Sequence, residues 1–136
     1  MCELFEHTAD LGLRARALDL ETLFVDMATC LFSALVEDMT TVRPVQDVAI
    51  TIAGEDRAYL LFDWLKALLD HCEIDHLIFS RFEVHVTETG LVGTAWGEPF
   101  DPERHEWSHE VKAITYHELK VEQTADGWLA EVIVDI

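Results

Sequence analysis

The first regular pattern in the chain is an alternation. Leu11, Leu13, Ala15 and Ala17 are interleaved with Gly12, Arg14 and Arg16, the period of a half-buried strand. Together with residues 2–8 this predicts two short strands around a turn at Asp10-Leu11-Gly12. The period then changes. Asp19 stands as an N-cap with Glu21 in the first turn, and Leu20, Leu23, Phe24, Met27, Ala28, Leu31, Phe32 and Leu35 follow at spacings of three and four. That stripe predicts an amphipathic helix ending near Glu37. Val48, Ile50 and Ile52 return to period two and stop at Gly54. Asp56 caps a second helix, whose stripe is Leu60, Leu61, Trp64, Leu65, Leu68, Leu69 and Cys72, with Asp63, Lys66 and Asp70 on its wet face. Phe82, Val84 and Val86 predict a strand that turns at Gly90 and returns over 91–96. Residues 97–109, punctuated by Pro99 and Pro102, read as a loop. Residues 110–117 carry no decisive period. Residues 119–124 and 128–136 read as a closing hairpin about Asp126-Gly127.

This order predicts an α+β fold. Residues 1–136 are expected to form a single domain, a two-layer sandwich with two amphipathic helices on a mainly antiparallel sheet.

Charge narrows the function classes. The 136 residues include 9 Lys plus Arg against 27 Asp plus Glu, a formal net charge of −18. That field repels phosphate backbones, so little direct nucleic-acid binding is expected. It favours basic protein partners and divalent cations, and it also serves solubility. The three cysteines, Cys2, Cys30 and Cys72, form no C-x-x-C pair. Cys30 and Cys72 fall on apolar helix positions and read as small core residues. An odd count without framework spacing suits a reducing compartment. Residues 1–6 have neither a basic start nor an apolar run, so no signal peptide is expected. No stretch approaches the length of a membrane span. The expected location is cytoplasmic.

The last strand carries the first candidate chemistry. Asp135 ends an apolar run beside the terminal carboxylate of Ile136. Two adjacent anions repel unless a cation or donor offsets them, and hard divalent cations bind such oxygen clusters; a frayed, solvated terminus is the ordinary alternative. In the first turn Asp10 supplies another carboxylate, either as a ligand or as an Asx turn, and His7 is expected to orient that turn through a hydrogen bond. Lys112 is one of few basic residues. It offsets the carboxylates or holds a phosphate oxygen, or else is a solvated surface lysine. His105-Glu106-Trp107-Ser108-His109 matches H-E-x-x-H, the helical zinc-hydrolase pattern. Here it follows a proline-punctuated loop with no helical stripe around it.

Taken in order, several segments resemble the archease family. These are Phe5-Glu6-His7-Thr8-Ala9-Asp10-Leu11-Gly12, Leu61-Phe62-Asp63-Trp64-Leu65, Phe79-Ser80-Arg81-Phe82-Glu83, Gly97-Glu98-Pro99-Phe100-Asp101-Pro102-Glu103-Arg104-His105, Glu110-Val111-Lys112-Ala113-Ile114-Thr115-Tyr116-His117 and Val134-Asp135-Ile136. Since His105 belongs to the family pattern, the resemblance makes the H-E-x-x-H match an accident of Glu106 and His109. It implies an accessory protein with no stand-alone enzymatic activity. Its partner would be an RtcB-type RNA ligase, which joins 3′-phosphate or cyclic-phosphate ends to a 5′-hydroxyl using GTP and a divalent metal. The accessory protein would accelerate the ligase's guanylation and its multiple turnover in tRNA splicing or RNA repair. The functional residues it implies fall on Asp10, Asp135 and the Ile136 carboxylate as ligands of magnesium, manganese or calcium, with Lys112 assisting; His7 is expected beside them as a supporting residue. Two other readings stand beside it: an acidic binding module or chaperone with no part in the chemistry, and a zinc hydrolase built on H-E-x-x-H.

Overall fold

In a computed structural model, which describes residues 2–136, the elements run β1 (Cys2–His7), β2 (Asp10–Ala17), α1 (Leu20–Leu35), β3 (Gln46–Ala53), α2 (Arg57–Asp75), β4 (Leu77–Thr87), β5 (Gly90–Pro99), β6 (Ala113–Ile114), β7 (Lys120–Thr124) and β8 (Gly127–Asp135). Both helices start at the aspartates that the sequence marks. Asp19 accepts from the Thr22 amide, and Asp56 from the amides of Ala58 and Tyr59. Each bond satisfies a first-turn amide that has no partner within the helix. α1 stops at Leu35, two residues short of the expected end, because Val36 turns extended and bridges to Trp107.

The α+β architecture is the expected one, and every strand pair is antiparallel. The strands divide between two sheets. In the larger the order is β1-β2-β8-β6, and β7 also pairs with β8; in the smaller it is β3-β5-β4. β8 is thus an inner strand, with β2 along one edge and β6 and β7 in succession along the other. α1 packs on both sheets, and so does α2. One hydrophobic cluster joins the helix stripes to Leu13, Val132 and Val134 of the larger sheet and to Phe79, Val84 and Ala95 of the smaller. At its centre the buried Trp64 donates its indole N–H to the Phe24 carbonyl at 3.1 Å, tying α2 to α1.

Several expectations need correction. The first turn lies at Thr8-Ala9, not at residues 10–12: His7 pairs with Asp10, and Thr8 takes the left-handed conformation (φ 54°). Gly12 is instead a mid-strand residue opposite Phe5. A Cβ there would lie 2.2 Å from the Phe5 ring, so glycine leaves room for the ring. β4 begins at Leu77, ahead of the alternating stretch, because Leu77, Ile78 and Phe79 are all buried and show no period of two. β5 runs on into the expected loop as far as Pro99. The undecided segment 110–117 contributes the two-residue strand β6.

The cysteines also depart from expectation. Cys30 and Cys72 are buried, as their helix positions imply. Cys2, however, is joined to Cys30 by a disulfide that ties β1 to α1 across 28 residues of chain, leaving Cys72 as the free thiol. The spacing gave no hint of the pair, since β1 and α1 meet only in the fold. Among the described residues no helix is long and apolar enough to cross a membrane.

Candidate functional site

The register of the larger sheet brings the separate carboxylate segments to one end. β2 pairs with β8 as far as Leu11 and Val134. One step beyond that pair stand Asp10 and Asp135, the first residue of β2 and the last of β8. Asp10 pairs on its other side with His7, and Asp135 with Ala113. His7, Asp10, Asp135 and Ala113 therefore form a row across four strands. Because side chains alternate between faces, the row lies on the face opposite the one where Leu11, Leu13 and Val134 meet the helices. The Lys112 amide closes this end by donating to the Asp135 carbonyl at 2.7 Å. Asp135 and Lys112 are exposed, and Asp10 and Ile136 are partly buried. Among the described residues no ion pair or hydrogen bond occupies the side chains of Asp10, Asp135 or Lys112. The two aspartates offer oxygen donors, the type that suits a hard cation such as magnesium, manganese or calcium.

Lys112 also lines a cleft of about 660 Å³ formed by Leu35, Leu69, Cys72, His76 and the 107–112 segment. Burial, with a smaller contribution from Glu73, pushes the Cys72 thiol up to about 11, so this sulfur is held in its unreactive form. His7 does not bond to its own turn. Its Nε2 lies 2.9 Å from Glu118 Oε2, on the connection between β6 and β7, and its ring stands edge-on to His117. Nothing local to Glu118 marks it as a functional residue, because its partner His7 lies more than a hundred positions away in the chain.

The H-E-x-x-H segment is not a zinc helix. Residues 105–109 form no helix, and among the described residues neither His105 nor His109 belongs to a metal-ligand cluster. His105 is buried with both nitrogens engaged. Its Nδ1 accepts the Asp101 amide at 2.9 Å, which places the proton on Nε2, within 3.1 Å of Glu98 Oε2 and 3.2 Å of the Thr41 carbonyl. Glu98 is the centre of this knot. Its buried carboxylate also accepts from the Arg43 amide at 2.7 Å and pairs with Arg104. Burial alone would raise its pKa, but the Arg43 amide, His105 and Arg104 outweigh burial and hold it down at about 2. The knot pins the 97–105 segment to the residues that follow α1.

Comparisons with known proteins agree along the whole chain. The Archease protein family (MTH1598/TM1083) matches residues 2–136. Protein archease of Methanopyrus kandleri is 44% identical over 138 residues, covering 98% of both chains. That of Pyrococcus furiosus is 40% identical over 98% of this chain and 97% of its own. Among solved structures, the solution structure of Methanobacterium thermoautotrophicum protein 1598 superposes with a TM-score of 0.86 at 35% identity, covering 99% of this chain and 98% of that one. The Thermotoga maritima archease, described as a possible chaperone, shares the fold with a TM-score of 0.63 at 20% identity, over 100% of this chain and 98% of that one.

Proposed function

The chain belongs to the archease protein family, and from that membership we propose that it is an accessory protein that activates an RtcB-type, GTP-dependent RNA ligase. In this reading it accelerates guanylation of the ligase and its repeated turnover in tRNA splicing or RNA repair. The observation that carries the reading is the row at the sheet end, where Asp10 and Asp135 stand side by side with the Lys112 amide bonded to Asp135.

Asp10, Asp135 and the Ile136 carboxylate would hold a magnesium, manganese or calcium ion, which when bound supplies positive charge for phosphate oxygens. The protein's own residues do the positioning. The β2–β8 ladder holds the two aspartates at one level, and the Lys112 backbone bond keeps β6 against the last residue of β8. The Lys112 ammonium offsets the carboxylates and offers a donor to a phosphate of the partner's GTP. The net charge of −18 attracts a basic ligase surface.

The test is guanylation of a purified RtcB-type ligase by labelled GTP and manganese, alone, with this protein, and with Asp10→Ala or Asp135→Ala. The expected result is faster labelling with the native chain and at least a roughly tenfold loss of acceleration with either variant, about 1.4 kcal/mol in the barrier. Unchanged acceleration by both variants would sink the metal mechanism. The second reading, a binding module or chaperone of the kind named for the Thermotoga maritima relative, is favoured by the net charge of −18. In that case the substitutions would weaken complex formation and leave the rate at saturating protein intact.

A further inference from the structure

We propose a second metal site, formed by His7, His117 and Glu118, that takes a divalent transition ion of the zinc class. One ligand atom from each of these three side chains lies within 4.8 Å of the other two, so modest side-chain rotations gather them around a single ion. They come from distant parts of the chain: His7 from the end of β1, His117 and Glu118 from the connection between β6 and β7. The site is therefore a product of the fold.

The chemistry of the set distinguishes it from the all-oxygen row beside it. Two imidazoles and one carboxylate suit zinc, cobalt, nickel or ferrous iron, whereas magnesium and calcium prefer oxygen. Three protein ligands leave a further position open to water or to a partner's side chain. The His7 ring has coordinating capacity that the protein leaves unused. Its Nε2 faces Glu118 at 2.9 Å, while its Nδ1 is buried with no hydrogen-bond partner among the described residues. His117 and Glu118 are exposed, so an ion has a path in. Because His7 pairs with Asp10 in the β1–β2 register, an ion here would clamp the β6–β7 connection to the edge of the carboxylate row. The site stands independently of the ligase reading.

The experiment is a titration of the full chain with cobalt(II), followed by its visible absorption and by calorimetry, with zinc as competitor. It is run on the native protein and on His117→Ala, Glu118→Gln and Asp135→Ala. The expected result is one equivalent of cobalt with imidazole-type visible bands, displaced by zinc. Affinity should fall more than roughly tenfold in His117→Ala and Glu118→Gln, and be retained in Asp135→Ala. Circular dichroism checks that the exposed His117 and Glu118 variants remain folded. Absence of bands in the native protein would overturn the proposal, as would equal affinity in His117→Ala. Loss in Asp135→Ala with retention in His117→Ala would also overturn it, placing the ion at the carboxylate row and leaving that reading intact.

Discussion

At the scale of single residues, the fold depends on a few side chains whose surroundings exceed what their type suggests. Glu98 is an acid in a buried place, kept ionised by the Arg43 amide, His105 and Arg104. Its folded pKa is depressed below the ordinary 4.5. The stability it supplies is therefore complete above about pH 4.5 and is lost as pH falls from there toward 2. Glu98→Ala should cost roughly 3 kcal/mol at neutral pH, because the buried His105 N–H and the Arg43 amide lose their acceptor. It should also flatten the acid limb of the stability profile. Urea denaturation of the native and variant proteins across pH 2–7 checks both; an unchanged acid limb would refute the assignment. Gly12 shows the opposite economy, since the absence of a side chain admits the Phe5 ring, over which the Arg14 guanidinium lies at 4.2 Å.

Among the elements, β1 is the one held from outside its own pattern. Among the described residues it pairs with β2 alone, at the edge of the larger sheet, and its core-side anchor is the Cys2–Cys30 disulfide to α1. A cross-link closing a loop of this length stabilises by roughly 3–4 kcal/mol, chiefly by restricting the unfolded chain. Cys30→Ser, or reduction of the native protein, should lower stability by about that amount. The Cys72→Ser variant should remain sensitive to reductant. Denaturation with and without dithiothreitol reads this directly, and insensitivity of the native chain to reductant would show that the disulfide is dispensable. β8 plays the opposite part. Buried along most of its length and paired on both edges, it fixes the level at which Asp135 meets Asp10.

For the whole molecule, the governing quantity is the net charge of −18. Such a field acts at a distance set by salt, about 30 Å at 0.01 M and about 8 Å at physiological ionic strength. Association with a basic partner surface, as proposed above for the ligase, should therefore slow by roughly tenfold or more between those conditions, with most of the loss in the association rate. Stopped-flow or surface-binding kinetics at several salt concentrations measure this. A salt-independent rate would mean that contact shape, and not charge, selects the partner.

Much of this was legible in the chain itself. The two helices and their aspartate caps follow from local spacing and hydrogen-bond chemistry, as do the closing hairpin and the antiparallel α+β class. Asp10, Lys112 and Asp135 could be singled out as candidates because a carboxylate at a strand end and a lysine in an acidic chain are chemically conspicuous wherever they sit. Tertiary structure decided which residues meet. Period two can show that Leu11 and Val134 face a core, but it cannot show that β2 lies against β8, and only that register sets Asp10 beside Asp135. The Cys2–Cys30 pair, the Glu98–His105 knot and the His7–His117–Glu118 cluster are likewise contacts between segments brought together by burial of the helix stripes on two sheets. The same burial overrode the H-E-x-x-H pattern. With His105 committed to Asp101 and Glu98, its nitrogens have no lone pair left for a metal.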